Sequence, residues 1–173
     1  MPSPTPGFRL DPDTARFLMS GVSINAGAGG ADGTPSLCRA FGCRVDPGGG
    51  QVAVFFSSRQ AADLLRDVAH SRALAVVFSE PPTHRTVQVK GRDARVVPLA
   101  EGDLARVRAY RDAFAQCLAF LGFTETMVRT LLDCPDADLV ALAFTPTAAF
   151  NGTPGAQAGA PLSPMVAPPP GAP

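Results

Sequence analysis

The sequence has no excess of charge of either sign, no cysteine pair of the metal-binding kind and no long apolar run, and each absence removes a class of function. Fifteen basic and fifteen acidic side chains cancel to a formal net charge of zero. Nothing in the composition therefore supplies the electrostatic footprint for duplex nucleic acid or an anionic membrane. The four cysteines, Cys38, Cys43, Cys117 and Cys134, form no CxxC pair, and His70 and His84 stand at no metal-ligand spacing from them. No metal site is expected. With no stretch of eighteen apolar residues and no apolar leader, the expected setting is the reducing cytoplasm, without a membrane span and with free thiols packed as small apolar side chains. The glycine-rich stretches, GGADG at 29–33 and DPGGG at 46–50, match neither P-loop nor dinucleotide spacing and open no helix. They read as hairpin turns.

What is present suits one domain. The chain has 173 residues, 46% of them apolar, enough for a sizeable core. Residues 1–10 read as a loose lead-in, 11–150 as the domain, and 151–173, rich in Gly, Ala and Pro, as a tail with little to bury. Asp11 can cap a first helix with Pro12 in its first turn, and Gly21 can end it. Alternating or apolar runs then predict strands over 22–28, 35–45, 51–57, 73–79, 86–97 and 138–144. The longest, TVQVKGRDARVV, carries Gly91 where a strand bends and stops before Pro98. Helical spacing appears from Ser58, with Ser57 or Ser58 as cap, over 101–121, and from the capping Thr124 to Leu132.

The start of the helix from Ser58 combines backbone amides, two serine hydroxyls and Arg59, groups able to hold a phosphate monoester. His84, in a loop beside two prolines, is read as a solvated side chain without a role.

Three stretches, in this order, resemble the FMN-binding split barrels of the pyridoxamine phosphate oxidase-like family. RAFGCR at 39–44 is similar to the family strand that begins and ends with a basic residue and lines the flavin. FFSSRQAADLL at 55–65 is similar to its aromatic-hydroxyl pair followed by Ser-Arg-Lys at a helix start, with Gln60 in place of the lysine. RTVQVKGR at 85–92 is similar to the strand that sets a polar side chain against the flavin ring.

The resemblance implies a mainly β fold with flanking helices, a six-stranded antiparallel split barrel. It implies Arg39 and Arg44 on phosphate or ribityl oxygens, Phe56 and Ser57 beside the flavin, Ser58, Arg59 and Gln60 at the phosphate, and Thr86 and Gln88 at the ring. No side chain is assigned as catalytic, because a bound flavin carries the electrons. The implied protein is an FMN-dependent oxidoreductase acting on a small molecule, a homodimer with the cofactor between subunits. It is not a true pyridoxamine phosphate oxidase, since the Arg-containing C-terminal segment of those enzymes has no counterpart. Deazaflavin or haem are alternative cofactors, with His70 and His84 the only usual haem ligands. A non-catalytic flavin- or haem-binding module and a ligand-free interaction barrel are the alternative functions.

Overall fold

The computed structural model describes residues 7–165; the first six residues of the expected lead-in and residues 166–173 of the expected tail lie outside it. Helix α1 runs Pro12–Leu18 and starts as its sequence requires: the Asp11 carboxylate accepts the N–H groups of Asp13 and Thr14 and the Thr14 hydroxyl. These bonds satisfy donors that a helix start leaves open. Strands β1 (Ser23–Gly29), β2 (Pro35–Arg39), β3 (Cys43–Val45) and β4 (Val52–Ser57) follow, then α2 (Ala62–Ser71). Next come β5 (Leu74–Ser79), β6 (Thr86–Gly91), β7 (Arg95–Val97), α3 (Asp103–Ala119) and α4 (Glu125–Leu131). The described chain closes with β8 (Leu139–Phe144) and β9 (Pro146–Asn151).

Two antiparallel sheets result, one of five strands in the order β2-β1-β5-β6-β9 and one of four in the order β3-β4-β8-β7. Among the described residues nine strands thus replace the expected six, for two physical reasons. The runs 35–45 and 86–97 each divide between the sheets. At the first crossing, the Ala40 N–H still bonds to Ile24 O (2.9 Å) in one sheet, while the Phe41 N–H bonds to Phe55 O (2.8 Å) in the other. Gly42 makes the swing at φ 121°, a conformation open to glycine. At the second crossing the register shifts between Lys90 and Gly91. A Cβ on Gly91 would stand 2.4 Å from Phe144 Cδ2, so the bend there needs glycine. The ninth strand, β9, pairs with β6 from Val87↔Asn151 to Lys90↔Ala148; a proline and two alanines hid it in the sequence.

The core lies between the sheets. Ile24, Val76, Phe78 and Val89 face Phe56, Leu142 and Phe144, all fully buried. Strand β4 is buried along its whole length and therefore reads as an unbroken apolar run rather than an alternation. Helix α2 begins four residues later than its expected cap, at Ala62 with no side-chain cap. Ser57 stays in β4 opposite Leu139, and the Ser58 N–H goes to Asp138 O (2.8 Å).

Thr124 caps α4, its hydroxyl accepting the Met127 N–H. Past Asn151 the chain turns back along β9, with Asn151 N–H to Ala160 O, Leu162 N–H to Ala149 O and Met165 N–H to Arg9 O. The expected unpacked tail is thus hydrogen-bonded as far as Met165, because the open edge of β9 and, beyond it, the Arg9 carbonyl offer backbone partners. Among the described residues no helix is long and apolar enough to cross a membrane.

Candidate functional site

The outer face of the five-stranded sheet follows from strand parity. With Ile24, Val76 and Val89 facing inward, their neighbours face out, and pairing aligns Arg39, Asn25, Val77, Gln88 and Phe150 in one row across all five strands. The next row is Leu37, Gly27, Ala75, Lys90 and Ala148. Because Gly27 and Ala75 have little or no side chain, the face dips into a groove of about 420 Å3, with Asn25, Val77, Gln88, Lys90 and Arg92 among its lining residues. Leu37 borders it at 79% exposure. The Lys90 ammonium lies 5.0 Å from the centre of the Phe150 ring, a cation–π contact at the sheet surface.

Gln88 lies in this groove and Arg39 at the end of the same row. The Arg39 guanidinium donates to Ser23 Oγ (3.1 Å) and stands 5.8 Å over the Phe114 ring. Thr86 belongs to the row of Ser23 and Ser79. Its hydroxyl pairs with Ser79 Oγ (2.8 Å) and donates to His84 O (3.0 Å), so its hydrogen-bonding capacity is used within the protein.

Ser57, Ser58, Arg59 and Gln60 share one turn at the end of β4. Arg59, 81% exposed, places Nε 3.0 Å from Asp138 Oδ2. Arg39 belongs to the other sheet: it pairs with Asn25 in the five-stranded sheet, and neither Arg39 nor the turn is among the residues lining the groove. Phe56 is buried in the core.

Arg44 lies apart from both groups. Its Nε and Nη2 donate to the two oxygens of Asp103 at 2.9 and 3.4 Å. Asp103 is fully buried and also accepts the Ala100 N–H (2.8 Å).

The titratable groups with large shifts lie outside the groove. Burial pushes the Cys43 thiol up to about 12, and Cys43 Sγ donates to Leu18 O at 3.1 Å. Burial likewise raises the Tyr110 phenol, whose hydroxyl donates to Val22 O (2.8 Å). Both are packing groups holding α1 and α3 against the barrel. His70 and His84 are exposed and line no part of the groove. Among the described residues no cluster of His, Cys, Asp or Glu could hold a metal ion.

Sequence reasoning did not select Asn25, Lys90 or Phe150. The first two were accessible from the parity of β1 and β6, given which face is buried; Phe150 depended on β9. Asp103 and Asp138, which take up the expected anion-binding arginines, are joined to them only by tertiary folding.

No family model matches the sequence, and no curated protein is similar to it by sequence. Solved structures do match. HupZ of Group A Streptococcus superposes with a TM-score of 0.52 at 12% identity, covering 87% of this chain and 99% of its own. A protein of Lactobacillus delbrueckii, provisionally named a pyridoxamine 5'-phosphate oxidase, superposes with a TM-score of 0.50 at 13% identity, covering 82% of this chain and 93% of its own. The chain thus has the split-barrel fold of pyridoxamine 5'-phosphate oxidase-like proteins.

Proposed function

We propose that the protein is a flavin-dependent oxidoreductase acting on a small molecule, with FMN bound against the five-stranded sheet and the site completed by a second copy of the chain. The observation that carries this reading is the row Arg39, Asn25, Val77, Gln88, Phe150 over a shallow groove floored by Gly27 and Ala75. FMN needs a flat, mostly apolar surface for its ring, polar groups at the ring edge and cations with hydroxyls for its phosphate. The groove has the first, Asn25 and Gln88 the second, and Arg39 with the Ser57–Gln60 turn the third.

The residues fit the group. Arg59 is 81% exposed and meets Asp138 through Nε, and a guanidinium carries five N–H donors, more than one carboxylate takes up, so donors remain for an anion. When bound, FMN supplies the electron- and hydride-carrying ring. The chain's own share is to orient that ring over β5 and β6 and to neutralise the phosphate. A two-fold partner laid on the sheet would cover Leu37 and exclude water from the groove. Four free cysteines suit a cytoplasmic setting. A deazaflavin carries a ring of the same shape and falls under the same reading. Haem has less support, since neither histidine reaches the groove.

One observation favours a second reading, a barrel without flavin that serves as an interaction surface: Arg44 and Arg59 already face Asp103 and Asp138. Titration of the purified protein with FMN separates the two readings. On the flavin reading, Arg59→Ala weakens FMN by about 1.5 kcal/mol, the low end for a charge-assisted bond because Arg59 is solvated and shared with Asp138. An unchanged dissociation constant removes the turn as the phosphate anchor.

A further inference from the structure

A second cleft, of about 460 Å3, opens between α1, the loop after β3 and the start of α3. Pro12, Ala15, Met19, Val45 and Pro47 make its apolar part, and three arginines, Arg16, Arg44 and Arg106, stand in its wall beside Asp46. Met19 is fixed there by its Sδ, which accepts the Val45 N–H (3.4 Å). No residue of this cleft lines the sheet groove.

Acceptors near these arginines are already committed. Asp103 is buried behind the cleft, takes two bonds from Arg44 and one from Ala100 N–H, and stands 3.6 Å from Arg106 Nη1. One carboxylate thus faces two guanidiniums. Asp46 lines the cleft, but its oxygens accept the Gly48 and Gln51 N–H groups. Asp11 is occupied in capping α1. Asp13 pairs with Arg16 where both are exposed, a contact that water and other anions exchange readily. Each guanidinium carries five N–H donors, so several remain for a ligand. Arg44 is the most enclosed of the three at 25% exposure, with Arg106 at 46%. Its orientation is set by a fully buried partner, which makes it a pre-positioned rather than a mobile cation.

We infer that this cleft is a second binding site, for an oxyanion carried on a small apolar body: a phosphate monoester or a carboxylate with an aryl or short alkyl group. The guanidiniums take the oxyanion, and the surface of Pro12, Met19, Val45 and Pro47 takes the apolar part. The inference is independent of the flavin reading, since it uses neither the sheet face nor the Ser57–Gln60 turn.

Calorimetric titration of the full chain with phenyl phosphate and with benzoate tests it, using inorganic phosphate and benzyl alcohol as comparisons. Phenyl phosphate or benzoate is expected to bind saturably and at least several-fold more tightly than either comparison. Which of the two binds better identifies the headgroup. Arg106→Ala should weaken that ligand about tenfold, the worth of one charge-assisted bond, and Arg106→Lys should recover part of the loss. Ala15→Glu, which sets a carboxylate in the cleft without removing an arginine, should abolish binding, and FMN affinity should not change in any of these variants.

The inference is overturned by the absence of saturable binding up to about 10 mM, a range in which affinity no longer implies a specific site. It is equally overturned if inorganic phosphate or benzyl alcohol binds as well as the better of phenyl phosphate and benzoate, or if Ala15→Glu and Arg106→Ala, each folded by circular dichroism, bind like the parent.

Discussion

Replacing Asp103 tests the ion pair that ties the first turn of α3 to β3. The carboxylate has no exposed surface; it accepts two bonds from Arg44 and the Ala100 N–H, with Arg106 nearby. Asp103→Ala leaves the Arg44 guanidinium and one amide without a partner. Breaking a fully buried pair costs about 3–5 kcal/mol. Arg44 is a quarter exposed, so water recovers part of that, and the loss works out at about 3 kcal/mol. In a chain of this length about 1 kcal/mol moves Tm by roughly 2–4 °C, so the variant should melt about 6–12 °C below the parent. Asp103→Asn keeps one acceptor for the Ala100 N–H but loses the charge and turns the other acceptor into an NH2 donor facing Arg44, so it too should melt below the parent. Urea unfolding monitored by circular dichroism supplies the free energies. If both variants lie within about 0.5 kcal/mol of the parent, the range of an uninvolved surface site, the pair does not hold α3 in place and the reasoning fails.

Three further outcomes are expected. Gly91→Ala sets a Cβ 2.4 Å from the Phe144 ring and 2.9 Å from Thr145 O, and overpacking of that kind should cost about 1–3 kcal/mol; Gly29→Ala, with nothing within 4 Å, is the control, and equal unfolding midpoints would contradict the crowding. Asp11→Ala should cost about 1 kcal/mol at neutral pH through loss of the cap. Burial raises the Asp11 carboxyl, but the Thr14 hydroxyl and the N–H groups of Thr14 and Asp13 more than offset it, leaving it below 3.8. Its contribution is therefore complete above the ordinary Asp range and lost as pH falls through the lowered folded value, so parent and variant should converge in acid; a gap that persists there would assign the cost to something other than ionisation. Among the thiols, Cys38, Cys43 and Cys134 are buried and only Cys117 is partly exposed, so native alkylation at pH 8 should add one label, at Cys117, and denaturation four; rapid labelling of Cys43 would refute its burial.

The features legible in the sequence were those decided by near neighbours. Asp11 with Pro12, and Thr124 three residues before Met127, are caps whose partners lie within one turn, and both form as read. The apolar alternation of β1 and the run of β4 likewise needed no knowledge of distant contacts.

What stayed hidden was decided by partners far along the chain. Whether residues 35–45 form one strand or two depends on Ile24 and Phe55 competing for successive amides, and only the folded barrel settles that at Ala40 and Phe41. The delayed start of α2 has the same origin, since Asp138, eighty residues away, takes the Ser58 N–H. At the site, Gln88 and Arg39 share a row because β1 and β5 lie between them. The destination of Arg44 could not be read locally, because its partner Asp103 belongs to a helix beyond four more strands.

Whether a flavin lies on the five-stranded sheet is decided by titrating flavin-free protein with FMN, following flavin fluorescence, in the parent and in Gly27→Phe, which fills the floor of the groove. Saturable binding to the parent is expected, reduced at least tenfold by Gly27→Phe while the fold, by circular dichroism, is kept. A parent protein that leaves FMN fluorescence unchanged, or a folded Gly27→Phe variant that binds as tightly as the parent, would contradict it.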